Sequence, residues 1–98
     1  MNNQACKLLQ KYELRQAFLI KKDSDTNFET ELFYFFVSNG IELDNDDIHI
    51  LRRDMISDYI GEIYIRVKDA EFMLSAKTKP SNNDIVYYIV RTVCKDEE

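Results

Sequence analysis

The sequence predicts an α+β fold, with three N-terminal helices packed on one face of a three-stranded antiparallel sheet, in a single domain spanning residues 1–98. Three observations predict it. Apolar residues recur at helical spacing through the first two-thirds of the chain and switch to strict alternation after Gly61. A hydrophobic fraction of 45% over 98 residues is enough to fill one core. Two glycines and one proline are few breakers, which favours long regular elements.

The first helix is expected over 3–20. Ala5, Leu8, Leu9, Tyr12 and Leu19 share a face, and Lys21 and Lys22 close the segment where cations suit the helix dipole. Leu14 and Phe18 fall off that face, so either the helix is covered twice or its end becomes extended from Ala17. The second helix is expected over 27–39. Thr26 and Glu29 match a capping box, and Asn39-Gly40 followed by Ile41 matches a Schellman end. The third is expected over 45–60. Asp44 to Asp47 form an N-terminal signature, Ile48, Leu51, Met55 and Tyr59 follow at steps of three and four, and Gly61 ends the run.

Beyond Gly61, Ile63, Ile65 and Val67 alternate with polar residues, as do Phe72, Leu74 and Ala76. A hairpin turning at 69–70 pairs Val67 with Phe72, Ile65 with Leu74 and Ile63 with Ala76 on one face. It sets Lys68 against Glu71 and Glu62 against Lys77 on the other. Residues 85–93 are mostly β-branched or aromatic and supply the third strand, apolar on both faces. A helix capped by Asp84 is the weaker alternative. Lys95 to Glu98 form a charged tail.

Charge is concentrated in the centre. Residues 28–62 hold nine carboxylates against Arg52 and Arg53, a local −7 within a net −5. That balance opposes direct binding to nucleic-acid phosphates. It makes a basic protein the natural partner. Basic and aromatic residues expected on the open sheet face (Arg66, Lys68, Lys77, Arg91, Tyr64, Tyr88) could hold single-stranded RNA. Glu62 and Glu71 beside them, and a pI near 4.9, weigh against it.

No motif carries a reaction. Asp23-x-Asp25-x-Asn27-x-Glu29 opens like a calcium loop but has Phe28 where glycine is required and Tyr34 where the closing glutamate belongs. His49 is the only histidine and has no cysteine near it in sequence, so no zinc site is expected. Cys94 has no histidine to activate it. No catalytic, cofactor or metal site is therefore predicted. Two cysteines, no leader pattern and no apolar run near the ~18 residues a membrane helix needs point to a cytoplasmic protein with reduced thiols, although a Cys6–Cys94 bridge would join the ends.

The expected partner-binding residues are Asp44, Asp47, Ile50, Asp54 and Asp58. On a helix 45–60, Asp47, Asp54 and Asp58 lie on one flank with Ile50 exposed beside them, and the Asp54–Asp58 pair repels without basic relief. A solvated helix face accounts for most of these carboxylates. A docking surface accounts for the rest. The resulting expectation is a small, acidic, non-enzymatic interaction protein that blocks a basic, nucleic-acid-handling partner. In size and charge alone it resembles toxin-immunity proteins and phage-encoded inhibitors of defence systems. The alternative is a secretion chaperone or adaptor holding a partner peptide on an apolar surface.

Overall fold

The computed structural model describes residues 4–68 and 70–94. In chain order they form α1 (Gln4–Lys11), β1 (Arg15–Ile20), α2 (Phe28–Ser38), a 3-10 turn at Asn45–Asp47, β2 (Ile48–Met55), β3 (Ile60–Val67), β4 (Ala70–Thr78) and β5 (Ile85–Cys94). The strands make one antiparallel sheet in the order β1-β5-β4-β3-β2. Two α-helices on a five-stranded sheet replace the expected three helices on three strands. The first residue of the expected helix 3–20, the Asp69 half of the expected turn and the tail 95–98 lie outside the described residues.

Two of the expected helices are corrected. The segment 3–20 breaks after Lys11. Leu14 adopts a left-handed φ of 65°, which ends the helix, and the chain leaves as a strand whose Phe18-Leu19-Ile20 run suits a sheet. The segment 45–60 keeps only its first turn as helix. Ile48 and Ile50 pair with Val67 and Ile65, a cross-strand apolar match that the helical spacing of Ile48, Leu51, Met55 and Tyr59 had hidden. A bulge at Leu51 then reverses the alternation, and Leu51 at the bulge, Met55 at the end of β2 and Tyr59 in the following turn, three of the four residues of the expected buried stripe, are exposed.

α2 lies within one residue of its expected bounds. Asn27, rather than Thr26, is the cap: its Oδ1 accepts the Thr30 N–H at 2.8 Å. The C-terminal end is the Schellman pattern. Gly40, at φ 87°, donates to the Val37 carbonyl, and Ile41 donates to the Phe36 carbonyl at 3.0 Å while its side chain is buried.

The β3–β4 hairpin forms with the expected faces and a different register. Val67 pairs with Ala70, Ile65 with Phe72 and Ile63 with Leu74, two residues from the expected pairing. A two-residue shift preserves the faces. The strand is left at Lys68, which has φ 54°, earlier than the expected turn. Buried Ala70 fits the tight end, and Arg66 rather than Lys68 stands opposite Glu71.

Both helices cover one sheet face. Ala5, Cys6 and Leu9 of α1 and Phe28, Leu32, Phe35 and Phe36 of α2 join Ile63, Ile65, Val67, Phe72, Leu74, Tyr87 and Ile89 in the core. Phe36 meets Phe72 edge-on at 6.0 Å, and Phe18 stacks on Tyr87 at 4.8 Å. The expected free thiols are corrected too. Cys6 on α1 and Cys94 at the end of β5 are bridged, with Cα atoms 5.8 Å apart, because α1 lies across β5. No helix among the described residues is long and apolar enough to cross a membrane.

Candidate functional site

β2 is an outer strand, hydrogen-bonded to β3 on one side with no neighbour on the other among the described residues. In an antiparallel edge strand, alternate backbone N–H and C=O groups point outward and can take another strand. The sequence around it is unusually apolar for an exposed position. Of the nine large hydrophobic residues exposed among the described ones, Leu51, Met55, Ile56, Tyr59 and Ile60 fall within ten consecutive positions. Met55 is 72% exposed and Ile56 59%.

The turn that presents them is well defined. Ile56 and Ser57 both donate to the Ile60 carbonyl, Ser57 Oγ accepts the Tyr59 N–H, and the Tyr59 carbonyl accepts from Thr78 at 2.8 Å, tying the turn to β4. Gly61 stands opposite Met55, whose Sδ lies 3.1 Å from where a β-carbon would sit, so a bare backbone at Gly61 leaves room for the thioether.

The basic groups of β2 are already engaged. Arg52 contacts Asp54 at 2.9 Å and lies 4.4 Å from the centre of the Tyr64 ring. The Tyr64 hydrogen bond and then Asp54 raise its pKa further, so it carries its charge at every ordinary pH. Arg53 contacts Glu29 of α2 at 3.1 Å and lies over Phe28. Burial pushes the Tyr87 phenol up, against the lowering effect of nearby Arg53.

The expected binding residues do not form a stripe. Asp44 and Asp47 sit at the 3-10 turn before β2, where the Asp47 carboxylate accepts the Asp44 N–H at 2.9 Å. Asp58 is exposed in the turn beyond β2. Those two ends are about 25 Å apart along an eight-residue strand. Asp54 lies between them, paired with Arg52. Ile50, expected to be exposed, packs against the core opposite Ile65. What the sequence reading missed is the exposed apolar group at 51–60, because the helical assignment buried Leu51, Met55 and Tyr59 and gave Ile56 and Ile60 no place. The one visible signal was the Ile48–Ile50 alternation.

The helix-free sheet face carries Tyr64, Arg66, Met73, Lys77, Tyr88 and Arg91, as expected for an open face. A shallow hollow there is lined by Leu51, Tyr64, Met73, Arg91 and Val93, with Glu62 and Glu71 at its sides. Among the described residues no three His, Cys, Asp or Glu side chains are grouped to hold a metal. Comparison with family models, with curated proteins and with solved structures gave no match that would place the chain in a family.

Proposed function

We propose that the chain is a non-enzymatic protein-interaction module that binds a basic protein partner through the surface around β2. The observation that carries this is the concentration of exposed Leu51, Met55, Ile56, Tyr59 and Ile60 beside an open sheet edge. Leu51 borders a hollow on the open face, and Met55 and Tyr59 one on the helix side, so exposed apolar groups reach the edge from both faces, and apolar surface beyond scattered single residues marks binding sites. The surrounding charge supplies the preference. Residues 42–62 hold seven carboxylates, and the only two basic residues among them, Arg52 and Arg53, are engaged within the fold. A basic partner is therefore steered in by Asp44, Asp46, Asp47 and Asp58 and held by apolar contact.

The narrower picture of an inhibitor, immunity or phage anti-defence protein acting through a carboxylate-rich helix loses its basis, because that helix is a strand and the comparisons supply no other support. A cytoplasmic setting belongs to this proposal for the reduced chain. The bridged chain fits an oxidising compartment, where disulfides persist. An adaptor reading, with a partner peptide on apolar surface alone, is favoured by the hollow around Leu51, Met73 and Val93.

Salt separates the two. With a captured partner, association through the carboxylates slows steeply as ionic strength rises, whereas adaptor binding does not. Ile56→Asp with Tyr59→Asp removes binding by the proposed surface and leaves the fold intact, since both side chains are exposed. Undiminished binding by that double variant would refute the proposal.

A further inference from the structure

Resting on that reading, we infer that β2 takes an extended segment of its partner as a sixth strand, and that this segment is apolar in its middle and carries Lys or Arg at each end.

The edge itself narrows the occupant. A second copy of the chain is the first to consider, because the bulge at Leu51 makes β2 nearly self-complementary. Laid antiparallel at full overlap, Ile48 would face Met55 and Ile50 would face Arg53 on the helix side. His49 would face Asp54 and Leu51 would face Arg52 on the open side. All these pairs share a face, since the bulge reverses the alternation halfway along the strand. The ends decide against it. A two-fold antiparallel pairing brings the Met55 end of each copy, followed by Asp58, to the Ile48 end of the other, preceded by Asp44 and Asp46, and does so twice by symmetry. Asp44, Asp46 and Asp58 are exposed, so like charges meet at both ends of the pairing.

A different segment keeps the favourable middle and relieves the ends if it carries cations where this chain carries carboxylates. Its length follows from β2, eight residues plus one or two beyond each end, or on the order of ten to twelve. Main-chain bonds to the edge supply strand addition, and side chains of the segment alternate between the helix side, beside Ile48, Ile50 and Met55, and the open side, beside Leu51 and Arg52.

The test is a randomised library of displayed peptides of about twelve residues, panned on the intact protein, with the enriched peptide then synthesised. Enriched sequences are expected to alternate apolar residues between basic ends, and to shift the backbone amide resonances of 48–55 on binding. N-methylation of the peptide's edge-facing amides should weaken it at least tenfold, as should Asp46→Lys with Asp58→Lys in the protein. Binders that leave 48–55 unmoved, binders insensitive to N-methylation, acidic binders, or no binder would each overturn the inference. So would a two-chain mass for the wild-type protein in sedimentation, which would assign the edge to a second copy. The broader reading fails separately, by retention of the captured partner in the Ile56→Asp, Tyr59→Asp variant.

Discussion

The sheet has two outer strands, and they are treated differently. β1 is six residues long, bulged at Ala17, and flanked by α2, with Phe18 stacked on Tyr87 and close to Phe28 and Phe35. None of its apolar side chains is fully exposed. β2 is eight residues long, meets α2 through Arg53, which contacts Glu29 and Phe28, and continues into exposed Ile56 and Tyr59. Natural sheets blunt edges with short strands, bulges, charges and covering elements. β1 uses three of these devices. β2 uses a bulge and two paired arginines and leaves Leu51 and Met55 in water. The fold can thus protect an edge, which makes the open one informative.

Substitutions break this comparison in order of size. Leu74 and Ser75 sit on adjacent positions of β4 and on opposite faces, so they calibrate what burial costs in the centre. Leu74→Asp places a charge in the core without a partner and should cost at least ~4 kcal/mol, enough to prevent folding, while Ser75→Asp should be tolerated. Chemical denaturation reads both. Next comes the bridge, which closes nearly the whole chain and holds the short α1 on β5, the strand beside β1. An eight-residue helix is not stable alone. Reduction, or Cys94→Ser, should lower unfolding free energy by about 2–5 kcal/mol. Equal stability of the oxidised and reduced chains would show that α1 docks without it.

The edges themselves are then compared directly. Phe18→Ala in β1 removes a packed ring and should cost about 3 kcal/mol. Leu51→Ala in β2 should stay within ~0.5 kcal/mol, because its side chain is exposed. Similar costs at both positions would erase the distinction. The smallest effect is a pH dependence from Tyr87, which lies under β1. Its folded pKa is raised, so its contribution is complete below the unfolded value near 10 and is lost as pH rises from there through the folded value. The denaturation midpoint should fall as pH rises above about 10 in the wild type, and less in Tyr87→Phe.

The parts legible in the sequence were those whose signals are local. Asn39-Gly40-Ile41 stops α2 by backbone geometry that glycine alone favours, and the chain obeys it. Alternation from Ile63 to Ala76 fixes faces, so the hairpin's orientation followed even though its register slid by two. The parts not legible depend on partners far away in sequence. Arg15–Ile20 becomes a strand because β5 needs a neighbour, and Ile48–Met55 because β3 does. In the second case four apolar residues fell at helical spacing by coincidence and an N-terminal cap signature at Asp44 served only a 3-10 turn. Of the candidate site, the carboxylates were visible as composition. Their separation to the two ends of one strand, and the apolar group between them, required the sheet.

The central claim is that β2, and not β1, is the edge that receives a partner. Amide hydrogen exchange, measured on the protein alone and with the peptide selected against it, tests this most directly. The account predicts that alternate amides within 48–55 exchange readily in the free protein and slow at least tenfold in the complex, with 15–20 unchanged. Slowing at 15–20, or on the helix-free face with 48–55 unaffected, would contradict it.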